Sequence, residues 1–205
     1  MNEWDKLKPV HQDFLKEMEN IGAGHAATAL SQMLDRTIGM EVPEVTFCNI
    51  EELCQVVGEE EELVSCISIA VTGDISFDMI FILKYESALS LANNLMKLPL
   101  FNCSEINTAT QSVLNEVGNI LIGSFLNALN SLTGLNTRSS VPAFANDMLG
   151  AVISAALLER GYYDDEVMVI GTRFYDNKVV IDGHLFMLPR YNVLKKIFES
   201  VGIKS

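Results

Sequence analysis

Two stretches of this chain carry the same polar side chains at the same spacing, and that repetition limits the folds open to it. Residues 13–24 read DFLKEMENIGAG and residues 112–123 read SVLNEVGNILIG. Asp13 and Ser112 are 99 residues apart (112 − 13), and so are Glu17 and Glu116, Asn20 and Asn119, and Gly24 and Gly123. A proline follows each copy at the same distance, Pro43 after Asn20 and Pro142 after Asn119 (43 − 20 and 142 − 119 both equal 23). Both copies have helical periodicity. At about 100° per residue, the first three polar positions of each copy fall within an arc of roughly 60°. Each helix is therefore expected to show an acid or hydroxyl, a carboxylate and a carboxamide in a line along one side. Phe14, Met18 and Ile21 face another way, as do Val113, Val117 and Ile120, and these are the expected core-facing residues.

The rest of the chain can be laid out around the repeat. Pro9 suits the first turn of a helix, which is expected over residues 11–35. Gly22, Ala23 and Gly24 lie inside it. Glycine lowers helix stability, so close approach of another backbone, in a tightly packed helix pair, is expected there. Short strands are predicted at 38–42 and 45–49, separated by Pro43, which has no N–H for a ladder. A weak helix (50–57) precedes two β-rich runs (63–71 and 75–83) that form a hairpin around Thr72, Gly73 and Asp74. A helix over 86–97 and Pro99 close the first half. The second half repeats the order. Ser104 is read as the N-cap of a helix over 105–132, with Asn107 at the capping-box position, and Gly134 as its stop. A strand over 135–141, Pro142 and a helix capped by Asn146 and running to Arg160 follow. Strands over 166–175 and 178–188 form a hairpin across Asp176 and Asn177, and 191–201 is a final helix. The runs IFIL (80–83) and LFML (185–188) correspond at an offset of 105 (186 − 81), so the repetition outlasts the motif. The expected fold is α/β (α+β), one domain over 1–205 made of two pseudo-twofold related halves, approximately 1–101 and 102–205. A central antiparallel sheet of the two hairpins has the long helices packed on it.

Composition bears on partners and setting. With 205 residues, 49% of them hydrophobic, the chain can bury one core, and two large domains would be crowded. The polar start is not a signal peptide, and no apolar run approaches the ~18 residues of a membrane span. A net charge of −13 argues against nucleic acid or an anionic membrane as partner. The acidic run Glu59 to Glu62 reads as a solvated loop before a strand. Cys48, Cys54, Cys66 and Cys103 make no C-x-x-C pair and no zinc spacing with the three histidines, which suits buried or idle thiols in a reducing cytoplasm.

No nucleophile-and-base arrangement, phosphate-binding loop or metalloprotease motif is present. His11 and His184 are isolated, and His25 is expected to serve packing or a helix hydrogen bond. The chemistry on offer is that of the repeated pair. One carboxylate and one carboxamide three residues apart would ordinarily be a solvated helix face. Two copies with matching spacing, among neighbours that differ (Lys16 against Asn115, Glu19 against Gly118, Gly22 against Leu121), point to a retained use. A carboxamide both donates and accepts hydrogen bonds and can hold a water. Hydrolysis of a labile phosphoryl group needs little beyond positioning and electrostatics. A carboxylate can anchor its helix to a cation on a partner.

The pattern D/S-x3-E-x2-N, with a proline after 22 intervening residues, resembles the signature of the CheC–CheX–FliY family of chemotaxis phosphatases. The resemblance spans essentially the whole chain, and all eight motif positions agree. It implies hydrolysis of the aspartyl phosphate of the response regulator CheY. Asn20 and Asn119 would align the attacking water, and Glu17 and Glu116 would pair with a lysine of the regulator. Asp13 and Ser112 would support the motif, with Pro43 and Pro142 shaping the strand ends. The chain would need no cofactor of its own, the Mg²⁺ belonging to the regulator. The resemblance also implies CheD, a receptor glutamine deamidase, as a second partner. Its docking region would be the helix after Pro142, with Asp147 at the start and Met148 and Val152 on its apolar face. Core packing is an equal reading of that face. The competing reading is a non-catalytic adaptor or flagellar-switch-type module. Because the chain carries its pseudo-dimer internally and shows no further domain, a monomer is expected.

Overall fold

A computed structural model of the chain describes residues 7–35, 37–42, 45–49, 52–96, 104–158, 166–175, 180–189 and 192–203. Its elements run α1 (Pro9–Leu34), β1 (Gly39–Glu41), β2 (Val45–Asn49), α2 (Leu53–Val57), β3 (Leu63–Gly73), β4 (Phe77–Lys84) and α3 (Tyr85–Met96). Then come α4 (Thr108–Thr133), β5 (Thr137–Ser139), β6 (Ala143–Met148), α5 (Leu149–Leu158), β7 (Glu166–Tyr175), β8 (Val180–Pro189) and α6 (Val193–Ser200). Pro43, Pro99, Arg160, and the expected turn at Asp176 and Asn177 lie outside the described residues.

The eight strands form one antiparallel sheet. β4 and β8 run together at its centre, with Phe77 opposite Pro189 and Ile82 opposite His184. β3 and β7 flank them as the outer arms of the two hairpins. Each edge consists of two short strands in succession, β1 and β2 on β7, and β5 and β6 on β3. The order is therefore symmetrical about the β4/β8 pair. Each half lends its edge strands to the hairpin of the other half.

Both faces of the sheet are covered. Successive strand residues point to opposite faces. Ile67, Ile69, Phe77, Met79, Phe81, Leu185 and Met187 pack under α1, α3, α4 and α6. Val64, Cys66, Ile80, Ile82, Phe186 and Leu188 pack under the short α2 and α5. β4 is accordingly buried at every position from Phe77 to Leu83. The expected helical cover lies on the first face, and the α2/α5 layer adds a second.

Three local expectations are corrected. The N-cap of α4 is Asn107, not Ser104. The Asn107 carboxamide oxygen accepts from the N–H groups of Ala109 (3.0 Å) and Thr110 (3.2 Å), and the Thr110 hydroxyl accepts from the Asn107 N–H (2.7 Å). That reciprocal pair satisfies donors a helix start leaves open, with threonine in place of the usual glutamate. The strand expected over 135–141 is confined to Thr137–Ser139. Asn146 does not start a helix, because residues 143–148 form β6, paired with β3 from Leu63↔Met148 to Ser68↔Ala143. α5 begins at Leu149, where the N–H groups of Leu149 and Gly150 donate to the carbonyls of Glu62 (2.9 Å) and Glu60 (3.0 Å). Neighbouring backbone thus does the capping. Along the acidic run, Glu59, Glu60 and Glu61 are exposed, while Glu62 pairs with Lys84 at 2.7 Å.

α1 and α4 pack on each other. A Cβ at Gly22 would lie 3.0 Å from the Phe125 ring and 3.3 Å from its Cα, so the expected close approach of backbones occurs at Gly22. Leu15, Met18, Ala26 and Leu30 of α1, and Leu114, Val117, Leu121 and Phe125 of α4, are buried. Phe14, Ile21, Val113 and Ile120, expected in the core, are half-buried flanks of that stripe. The buried stripe is centred opposite the polar line on each helix.

Candidate functional site

At about 100° per residue, Leu15, Met18 and Ala26 gather half a turn away from Asp13, Glu17 and Asn20. Burying one side of α1 therefore delivers the polar line to solvent. The same holds on α4, where Leu114, Val117 and Leu121 are buried opposite Ser112, Glu116 and Asn119. Asp13, Glu17, Asn20, Ser112, Glu116 and Asn119 are all exposed. Among the described residues, no side chain of Asp13, Glu17, Asn20, Glu116 or Asn119 has a hydrogen-bond or ion-pair partner. The Ser112 hydroxyl donates to the Thr108 carbonyl at 2.8 Å, which pins its rotamer and leaves its oxygen free to accept. Each ridge thus stands on a helix anchored in the core, with a carboxylate and a carboxamide whose hydrogen-bonding capacity is unspent. Such a surface can grip a cation and hold a water, but has no base poised beside a nucleophile.

Pro142 is half-buried in the turn between β5 and β6, where a missing N–H interrupts no ladder. Pro43 is outside the described residues. The residues assigned to the second partner divide. Asp147 and Met148 are exposed at the end of β6, the Asp147 carboxylate accepting the Met148 N–H at 2.8 Å. Val152 is 7% exposed in the core under α5, so it is withdrawn from the surface.

Two residues beside the ridges behave otherwise than their sequence suggests. His25 is exposed and so does not serve packing. Glu19, flanked by Met18 and Asn20, is 4% exposed, and its Oε1 has no partner among the described residues. Burial pushes its carboxyl up to about 8, with Lys16 pulling the other way. Its counterpart Gly118 has the Ile67 side chain packed against it. His11 is buried, accepts the Lys8 N–H at 2.9 Å and meets the Phe198 ring edge-on at 4.5 Å, a structural role at the start of α1. Burial also raises the thiols of Cys66, to about 12, and Cys48, to about 11, which makes both poor nucleophiles.

A model of the CheC-like family matches residues 10–46 and 110–145, the two ridges and the strands that follow them. The chain is 36% identical over 206 residues to the CheY-P phosphatase CheC of Bacillus subtilis, covering 98% of this chain and 99% of that protein. Among solved structures it is similar to FliY of Thermotoga maritima (TM-score 0.76, 19% identity, 96% of this chain and 98% of that one). It is also similar to the FliM middle domain of a Vibrio (TM-score 0.67, 12% identity, 91% and 99%). These two likenesses are of fold. Identity to the Bacillus protein along nearly the full length of both, with the family pattern falling on both ridges, makes this chain a member of the CheC-like family.

Proposed function

We propose that the chain is a phosphatase for the aspartyl phosphate of CheY, acting through two equivalent ridges. The observation that carries this reading is the exposure of both Glu–Asn pairs, whose side chains have no partner among the described residues, on helices fixed by a buried opposite face. Identity to a CheY-P phosphatase supports it. Asn20 and Asn119 hold the attacking water by donating and accepting hydrogen bonds at the phosphoryl group. Glu17 and Glu116 pair with a lysine of the regulator and set the distance. Asp13 and Ser112 support the N-terminal end of each ridge, and Pro142 shapes the strand end beside the second. The reaction asks for positioning rather than covalent chemistry, and the Mg²⁺ that neutralises the phosphate is the regulator's. The repeated ridge and the symmetrical strand order favour an internal duplication over 1–101 and 102–205, and a monomer in solution. Among the described residues, no helix is long and apolar enough to cross a membrane, and we place the activity in the cytoplasm. CheD is proposed as a second partner, docking at Asp147 and Met148. Asp147→Lys should then weaken a CheD pull-down while the circular dichroism spectrum stays as in wild type.

The test of the main reading is dephosphorylation of CheY loaded with a small phosphodonor, with the protein at catalytic concentration. Asn20→Ala and Asn119→Ala should each lower the rate, and the double variant should nearly abolish it. A fully active double variant would remove these residues from the mechanism. The fold shared with a FliM middle domain favours a second reading, an adaptor that binds phosphorylated CheY without turnover. Binding by the wild type with no acceleration of phosphate loss would select it.

A further inference from the structure

Gly24 and Gly123 close the two ridges, and among the described residues neither has a structural reason to be glycine. Both lie inside helices, α1 and α4, and neither has a positive φ. A Cβ built on either would meet nothing within 4 Å. Glycine inside a helix is destabilising relative to almost any other residue. The contrast with their neighbours is sharp. A Cβ at Gly22 would meet Phe125 at 3.0 Å, and one at Gly118 would meet Ile67 at 2.7 Å. Only those two are explained by packing.

Position supplies a reason. At about 100° per residue, Gly24 falls inside the arc of Asp13, Glu17 and Asn20, and Gly123 inside that of Ser112, Glu116 and Asn119. Side chains on a helix lean toward its N-terminus and cover the turn before their own Cα. Any side chain at 24 would lie over Asn20, and any at 123 would lie over Asn119. We propose that Gly24 and Gly123 are clearance positions, which hold open the space above each carboxamide so that the surface around the partner's phosphoryl group can close onto it. The inference rests on the proposed phosphatase reading and deepens it. It assigns these two residues a positioning role set by the steric shape of the incoming regulator.

The test combines stability with turnover in the full-length protein. Gly24→Ala/Gly123→Ala and Gly24→Gln/Gly123→Gln use good helix formers that fit without clash. Both double variants should melt higher than wild type, by roughly 4 °C. Their kcat/KM for phosphorylated CheY should nevertheless fall with side-chain size, a few-fold for alanine and at least tenfold for glutamine. Gly24→Gln in the Asn119→Ala background should remove the remaining activity. Stabilised variants with unchanged kcat/KM would overturn the clearance role while leaving the phosphatase reading intact. Variants that melt lower than wild type would also overturn it, by showing a packing role. A wild type with no turnover would instead strike down the phosphatase reading, and the inference with it.

Discussion

Glu19 sits beside a proposed catalytic residue, yet its side chain is sealed where Asn20 is bare. In the folded protein its carboxyl titrates near 8 because burial disfavours the charge; in the unfolded chain it returns to its ordinary value of 4.5. Between those values the native state holds a proton that the unfolded state has lost, so stability falls as pH rises through the window and levels off above it. Glu19→Gln keeps the shape and removes the titration. Urea melts at pH 5, 7 and 9 should show a flatter profile for the variant, and at pH 9 a gain over wild type of up to about 5 kcal/mol. Parallel profiles would mean that the carboxylate finds a good partner when ionised. In the sequence, Glu19 reads as one more charge on a polar helix. Its burial is decided by elements remote in sequence, which periodicity cannot see. Glu17, Asn20, Glu116 and Asn119 were legible for the converse reason, since a strict spacing repeated at one offset fixes a helix face without knowledge of the neighbours. The glycines at 22 and 24 show the same limit. A Cβ at one would meet Phe125 and a Cβ at the other would meet nothing within 4 Å, and helix propensity alone does not separate them.

The helices and hairpins could be read from the chain because their signals are local. Pro9 and Gly134 bracket helices, and β-rich apolar runs flank the turn at Gly73. β6 was missed for a physical reason. Residues 143–148 are mostly exposed and carry no alternating apolar face, and they are strand because β3 offers them a ladder. The N-cap of α4 was displaced by one turn because threonine, rather than glutamate, completes its reciprocal hydrogen bonds. Asn107→Ala should destabilise the protein by about 1 kcal/mol, and Ser104→Ala by a few tenths at most, measured by chemical denaturation. Equal effects would return the cap to Ser104. Gly22→Val should cost roughly 1–3 kcal/mol, since the contact is with backbone as well as ring. A neutral result would show that α1 can slide on α4. Because the ridges ride on these two helices, Gly22→Val should also lower phosphatase activity at temperatures where it remains folded.

At the scale of the whole molecule, the symmetry of the sheet was foreseeable from the two hairpins, but the exchange of edges was not. A register between strands more than a hundred residues apart leaves no local trace. That exchange bears on how the chain acquires its structure. Gly39 of β1 faces Tyr175 of β7, a separation of 136 positions (175 − 39), whereas β5 and β6 can join β3 as soon as they are made. The first edge must wait, unpaired, until the last hairpin is complete. Contacts of such separation slow folding, and on the ribosome, at about 5–20 residues per second, the wait lasts on the order of 10 s. The early edge is thus the segment for which a chaperone has most time, and translation pauses after α5 should lengthen its exposure.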